Sequence, residues 1–486
     1  MKRVLLLAAS SLALSCSFTT ATGFKECETD AQCSASQVCL ERYCIKIDCH
    51  TDSECRADQA CIANYCVDLT VGCRRQTGEF GSNNRVVFAA TLPLTSMPDG
   101  GSTDQSEQQG LNALALAVEE GNLRDGIKGK KFALLFCNTG NDDALAKQQV
   151  QWLASELKVP AVVTSGSGQT IAITNVAAMQ DVMVISATST SPELIGTFQS
   201  SKQLVWRTAP SDSLQARVMA DLIEADYPPA TDGGASGAKI GIVYVNTTYG
   251  QGLSAGLRAR LPARFSVKEL PYELNGDLSQ TVTDLNGFAP QLTMVVGFPP
   301  DLRNLVNLAK AQPTLSRASG HRWLLSDSAK DPALLIDGTV TELAGSLGTA
   351  PAQGAGATFP SFKDRFISKY AADPSNFSFT SHSYDAMYLL MLSAAWASGG
   401  DGGITGARMG EGMRHVSSGP AFSLAPNNFT GAVTALQAQT SIDVEGASGK
   451  LNFDLDAGAP SSPYEIWRVE ADGGLTTLRL VEPSGL

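Results

Sequence analysis

From Val86 to Phe298 the chain alternates short apolar runs with helical stripes, and this alternation narrows the possible folds more than any other feature. Val86–Leu94, Phe132–Cys137, Ala161–Val163 and Val182–Ile185 read as strands. Between the first two, Leu111, Leu114, Ala115 and Val118 form a helical stripe. Ala146, Val150 and Leu153 form another over Asp143–Leu157, with Asp142 as its N-cap, and Gln169–Met179 is a third helix. After Val205-Trp206-Arg207-Thr208 the pattern restarts, with a helix at Leu214–Ala225 and strands at Lys239–Val245 and Leu292–Phe298. Strands alternating with helices give parallel sheets, because each helix carries the chain back to the same end of its sheet. Two such series in 486 residues, too many for one core, predict an α/β protein with two doubly wound parallel-sheet lobes. The Gly-, Pro- and Ala-rich insert Pro228–Gly237 reads as a mobile loop.

Within the first series, the stretch AVVTSGSGQTIAITNVAAMQDVMVISATSTSPEL (Ala161–Leu194) stands out. Both of its apolar runs break off into small hydroxyl residues: Ser165, Ser167 and Thr170 after the first, Ser186, Thr188, Ser189 and Thr190 after the second. In a parallel sheet both loops open at the carboxyl edge, where open α/β sheets bind ligands. These loops hold no His, Cys or carboxylate before Glu193. Such a surface suits holding a small polar ligand rather than doing chemistry on it. A single Ser/Thr loop is ordinarily turn chemistry; two at successive strand ends point to binding.

Eleven cysteines are present. Apart from Cys16, nine fall between Cys27 and Cys73, and the last is Cys137. Glu26–Cys44 (ECETDAQCSASQVCLERYC) is echoed by Asp48–Cys66 (DCHTDSECRADQACIANYC). Cys27, Cys33, Cys39 and Cys44 recur as Cys49, Cys55, Cys61 and Cys66, in step with Thr29-Asp30 and Thr51-Asp52 and with Tyr43 and Tyr65. Each unit has too few apolar residues for a core, so two disulfides per unit are expected to order it, at about 2–4 kcal/mol each. Spacings of five or four residues, no C-x-x-C and a single neighbouring His50 argue against zinc. Cys73 and Cys137 are left to pair with each other and tie the module to the next domain.

The N-terminus reads as a targeting segment. Lys2 and Arg3 precede an apolar run, Val4–Leu14, too short to span a bilayer. It ends at Leu12-Ala13-Leu14-Ser15-Cys16, which resembles a bacterial lipoprotein signal with Cys16 as the lipidated residue. An ordinary cleaved secretory peptide is the alternative; both imply export, and the cysteine density agrees with it. The net charge of −12, with no basic cluster beyond short groups such as Lys128–Lys131, argues against a nucleic-acid partner. No other run is long and apolar enough for a membrane span, so contact with a membrane is expected only through the lipid anchor.

The ordered motifs resemble the leucine/isoleucine/valine-type extracellular solute-binding proteins of the type I periplasmic-binding fold. The likeness runs from about Asn84 to the C-terminus. It rests on VVFAATLPLTS (Val86–Ser96), Thr164–Thr170, ISATSTSPEL (Ile185–Leu194), VWRTAPSD (Val205–Asp212), VNTTYGQG (Val245–Gly252), SYDAMYLL (Ser383–Leu390) and VEGASGKLNFDLDAG (Val444–Gly458). The resemblance implies two lobes joined by a hinge, preceded by the disulfide-rich module. The expected order is a signal peptide at 1–15, a tether at 16–26, the Cys-rich double repeat at 27–73 and a linker at 74–83. Residues 84–209 and 346–439 then form the first lobe, and 210–345 and 440–486 the second.

The same resemblance implies a ligand site. Ser167 and Thr170 fall on its first binding loop, and Ser189 and Thr190 on the second. Tyr249 matches the Tyr of the second lobe, Phe298 sits where a second aromatic is expected, and Asp327 falls where an acidic residue receives a ligand ammonium. A carboxylate would take N–H groups at helix starts together with these hydroxyls; Asp327 would supply the opposite charge. Asp327 has a competing reading as N-cap of a helix near Pro332. Trp206 and Tyr384 read as core.

The resulting expectation is a lipid-anchored envelope protein, periplasmic or surface-exposed, that captures an amino acid or amide by hinge closure and delivers it to an ABC-type permease. No cofactor and no metal is expected. A ligand-sensing or adhesion ectodomain is the alternative, since the Cys repeats resemble extracellular interaction modules. An envelope hydrolase has only the Ser-rich loops in its favour: the chain has no G-x-S-x-G, no P-loop and no H-E-x-x-H, and His50, His321, His382 and His415 are scattered.

Overall fold

The computed structural model describes residues 25–34, 36–97, 100–229 and 237–482. The signal segment, Cys16, most of the tether and most of the 228–237 insert lie outside the described residues.

Two α/β lobes follow a small disulfide module. The first sheet has six strands, in the order Val205–Arg207, Met183–Ser186, Ala161–Thr164, Arg85–Leu92, Lys131–Asn138 and Cys73–Gly78. All are parallel except Cys73–Gly78, which runs antiparallel to Lys131–Asn138. The second sheet has seven strands: Ser266–Tyr272, Lys239–Val245, Leu292–Val296, Arg322–Leu325, Leu347–Pro351, Tyr464–Val469 and Leu475–Val481. Its first five are parallel; Tyr464–Val469 runs antiparallel to Leu347–Pro351, and Leu475–Val481 antiparallel to Tyr464–Val469. In each sheet the chain builds outward from Arg85–Leu92 or Lys239–Val245 in both directions. The strand order therefore reverses next to those strands, and the crevice at such a reversal is where open sheets hold ligands.

Helices form where the stripes predict them. Asp142 caps Asp143–Ser155, its carboxylate accepting from the Ala144 and Leu145 amides at 2.8 and 3.1 Å. Asp104 caps Gln105–Leu123 in the same way through Glu107 N. The helix Thr380–Gly399 is buried on all sides in the first lobe, which explains its lack of a polar stripe. Trp206 and Tyr384 are core residues.

Three domain boundaries differ from the expectation. Residues 74–83 are not a linker, because Cys73–Gly78 is the edge strand of the first sheet. Leu347–Pro351 belongs to the second sheet, where it pairs with Arg322–Leu325 and Tyr464–Val469. Residues Ile442, Val444, Ala447, Leu451 and Phe453 pack in the first lobe's core, so only the closing hairpin from Tyr464 joins the second sheet. Each boundary depends on pairing between distant strands, which local hydrophobic pattern does not encode.

The module holds two copies of one unit. Gln37–Leu40 pairs with Tyr43–Lys46, and Gln59–Ile62 with Tyr65–Asp68, each through an antiparallel hairpin. Disulfides join Cys27 to Cys39, Cys33 to Cys44, Cys49 to Cys61 and Cys55 to Cys66. The repeated Thr-Asp pairs have a reason: Asp30 accepts from Cys39 N, and Asp52 from Cys61 N, both at 2.8 Å. The second unit docks on the first lobe. Asp52 meets Arg85 at 2.6 Å, Ala60 and Leu69 join the cluster of Ala146, Val150 and Leu153, and Cys73 is bonded to Cys137.

A candidate ligand site between the lobes

The hydroxyl loops leave the carboxyl ends of Ala161–Thr164 and Met183–Ser186, beside the strand reversal of the first sheet. Gly166 turns the chain with φ of 79°, a conformation that favours glycine, and the helix Ser167–Met179 starts at once. The hydroxyls are mutually bonded. Thr170 Oγ1 and Ser189 Oγ lie 2.8 Å apart, Ser186 Oγ donates to Ser189 Oγ at 2.6 Å, and Ser167 Oγ accepts from Ser191 N at 3.2 Å. Thr190 differs. Its Oγ1 is buried with no well-aligned hydrogen-bond partner among the described residues.

The second lobe presents the equivalent edge. Tyr249 is in the helix Thr248–Arg260 after strand Lys239–Val245, and Phe298 follows Leu292–Val296, so the two flank that sheet's reversal. Their ring centroids are 6.2 Å apart. Asp327 opens a single 3-10 turn after Arg322–Leu325 and is 2% exposed. Its Oδ1 accepts from Tyr249 OH at 2.5 Å and from Gln215 Nε2 at 3.0 Å. The competing N-cap role falls to Asp331 instead, which accepts from Ala333 N at 2.7 Å.

The lobes meet in this region. Ser106 Oγ, at the start of helix Gln105–Leu123, donates to Asp331 Oδ2 at 2.8 Å. Gly252 of the Tyr-Gly turn approaches the second hydroxyl loop so closely that a Cβ there would sit 3.2 Å from Ser191 Oγ and 3.3 Å from Pro192 Cδ. A Cβ at Gly250 would lie 2.0 Å from the Val245 carbonyl oxygen, so that glycine is required by its own turn. Cavities of about 290 Å³ also open beside Trp323 and beside Arg414, but neither reaches these residues.

Sequence reasoning left several charged groups out of the site. Asp212, 1% exposed, has no well-aligned donor on either carboxylate oxygen. Burial, then the negative charge of Asp327, pushes its carboxyl well above the usual range; Thr190 and Arg207 draw it part-way back. Burial likewise raises Asp327, against the hydrogen bonds from Tyr249 and Gln215. The Tyr249 phenol is raised by burial and by both carboxylates. Arg207 is buried; its Nη1 donates to the Ser191 carbonyl at 2.9 Å, while Nε and Nη2 lack partners among the described residues. On the other side, Glu107 is bonded to Ser165 Oγ, which lies 2.8 Å from Thr188 Oγ1. Burial and Asp104 push Glu107 up to about 8, and burial pushes Asp104 up to about 6. The sequence did contain one signal for them: Asp104 and Asp331 occupy N-cap positions at helix starts, and Asp212 closes the VWRTAPSD motif.

A family model described as "Receptor family ligand binding region" matches residues 109–472, well over half of the chain. The chain belongs to this receptor family. A chemotactic signal transduction system substrate-binding protein, BasB of Halobacterium salinarum, is 26% identical over 405 residues, covering 82% of this chain and 90% of that protein. Among solved structures, the leucine-binding protein LivK of Thermotoga maritima superposes with a TM-score of 0.65 at 18% identity, covering 82% of this chain and all of that one. A fatty acid ABC transporter substrate-binding protein of Thermomonospora curvata gives 0.64 at 18% identity, over 84% and 95% of the two chains. These likenesses establish the type I periplasmic-binding fold. The relatives are substrate-binding and receptor proteins rather than enzymes. Among the described residues, no helix is long and apolar enough to cross a membrane.

Proposed function

We propose that this chain is an extracytoplasmic solute-binding protein that closes its two lobes around an amino acid or a related small amide. The observation that carries this reading is the meeting of two strand-reversal edges. One is lined by Ser167, Thr170, Ser189 and Thr190, the other by Tyr249, Phe298 and Asp327. A ligand carboxylate would take the buried Thr190 hydroxyl, and its ammonium would take Asp327. Ser189 and Thr170, already bonded to each other, would shape the loop more than contact the ligand. Delivery to an ABC-type permease, and anchoring to the envelope through a lipid on Cys16, complete the proposal; the likeness to the Thermomonospora curvata ABC transporter substrate-binding protein supports the first.

Moving a hinge from mostly open to mostly closed takes about 5.5 kcal/mol of differential binding. Three or four charge-assisted hydrogen bonds at about 1.5–3 kcal/mol each meet that requirement. Titration calorimetry of ligand-free protein against a panel of amino acids and amides tests the reading. Saturable heat with at least one member is expected, and no heat with any member of a folded sample refutes it. Asp327→Ala is expected to weaken the best ligand by more than about tenfold; unchanged affinity removes the ammonium role. A second reading, a ligand sensor coupled to signalling, is favoured by the likeness to BasB along nearly its whole length. Deletion of the gene separates the two: loss of uptake favours transport, and loss of a behavioural response with uptake intact favours sensing.

A further inference from the structure

The carboxylates between the lobes exceed what one ammonium needs, and they fall into two groups. Asp212 and Asp327 form one, each within the other's field. Asp104 and Glu107, at the start of helix Gln105–Leu123, form the other with Asp331, which Ser106 joins to that helix across the cleft. The hydroxyl loops connect the groups. Glu107 is bonded to Ser165 and Ser165 to Thr188, while Thr190, two residues further on, faces Asp212. Two residues of chain limit that step to about 7 Å.

The protein supplies little positive charge to balance them. Lys330 is spent on Glu465, and Arg303, near Asp331, donates to the Ala333 carbonyl. Arg207 is the cation beside Asp212, and it gives Nη1 to the Ser189 and Ser191 carbonyls. A second observation concerns donors, both of them beside Asp212. Thr190 Oγ1 and Arg207 Nη2 are buried donors with no well-aligned partner among the described residues. Both donors suit an anion, so this region offers one place for negative charge and two for positive charge.

We propose that the cleft selects an amino acid carrying a second positive charge, of the lysine, ornithine or arginine class, over one with an apolar side chain. This rests on the solute-binding reading and narrows it. The α-carboxylate takes Thr190 and Arg207 Nη2. The α-ammonium takes Asp327 and Asp212, and the side-chain cation reaches Glu107, Asp104 and Asp331. An extended basic side chain matches the step between the two groups. Burial holds Glu107 and Asp104 above their ordinary acidity, and a cation placed between them reverses that.

Calorimetry of the full chain at neutral pH and low salt, with L-lysine, L-ornithine, L-arginine, L-leucine and putrescine as separate probes, tests the proposal. At least one basic amino acid is expected to bind more than about tenfold tighter than leucine. Its affinity should also fall more steeply with added salt than that of leucine. Glu107→Gln combined with Asp331→Asn is expected to cut the affinity for that ligand by about tenfold or more and narrow the gap to leucine. If the double variant fails to fold, Glu107→Gln alone serves, checked by its melting curve. Leucine binding as tightly as every basic amino acid overturns the charge selection and leaves the solute-binding reading standing. Putrescine matching lysine overturns the role of Thr190 and Arg207 as carboxylate holders. No heat with any probe overturns the charge selection, and silence of the wider amino-acid and amide panel as well overturns the solute-binding reading.

Discussion

Replacing Lys330 with methionine tests how the loop carrying Asp327 is held. Lys330 and Glu465 are buried to 1% and 3% side-chain exposure and pair with each other; Glu465 also accepts from Thr477 Oγ1 at 2.5 Å. The pair pins the segment after Asp327 to strand Tyr464–Val469. Methionine keeps most of the bulk and removes the charge. Breaking a buried pair from one side costs about 3–5 kcal/mol, because the surviving ion is left uncompensated. Lys330→Met is therefore expected to lose about 3–5 kcal/mol at pH 7. Lys330→Met with Glu465→Gln removes both charges, so it should be less damaged than the single variant. Urea unfolding at pH 7, followed by tryptophan fluorescence and far-UV circular dichroism to check that the probes coincide, measures these differences. A loss under about 1 kcal/mol for Lys330→Met, or an equal loss in the double variant, refutes the reasoning.

Three further outcomes are expected. Cys73→Ser with Cys137→Ser opens a covalent link spanning 64 residues, for which loop-closure entropy gives about 4 kcal/mol; a melting temperature equal to that of the parent would contradict it. Glu107, raised from 4.5 to about 8 in the folded protein, contributes stability to the fold fully below about pH 4.5 and loses that contribution as pH rises towards 8. Between those limits the melting temperature of Glu107→Gln should fall less than that of the parent, and parallel curves would contradict this. Gly252→Val should prop the lobes apart against Ser191 and Pro192, at about 1–3 kcal/mol of closure energy. Small-angle scattering would detect it as an unchanged radius of gyration on adding ligand, where the parent contracts.

Much of the fold was legible because its signals are local. The strand at Lys239–Val245 and the capped helix after Asp142 lie where the sequence places them, since hydrophobic period and cap chemistry act over a few residues. The paired repeats of the module were legible because each copy repeats the same cysteines and the same Asp that accepts from a hairpin cysteine amide. The edge strand Cys73–Gly78 was not: its residues are polar, and it is a strand because Lys131–Asn138 offers it a partner.

The candidate site divides in the same way. By itself the sequence determined two hydroxyl-rich turns at successive strand ends, and through family resemblance it singled out Tyr249, Phe298 and Asp327. Those features follow from residue type and order, which any segment carries with it. Only the tertiary structure decided that Ser106 meets Asp331, 225 residues away, and that Asp104, Glu107 and Asp212 share the space between the lobes. It also decided that Ser189 and Thr170 are satisfied by each other while Thr190 is not. Hydrogen-bond satisfaction, loss of solvent and the fields between carboxylates depend on distance in space, and separation along the chain does not set that distance.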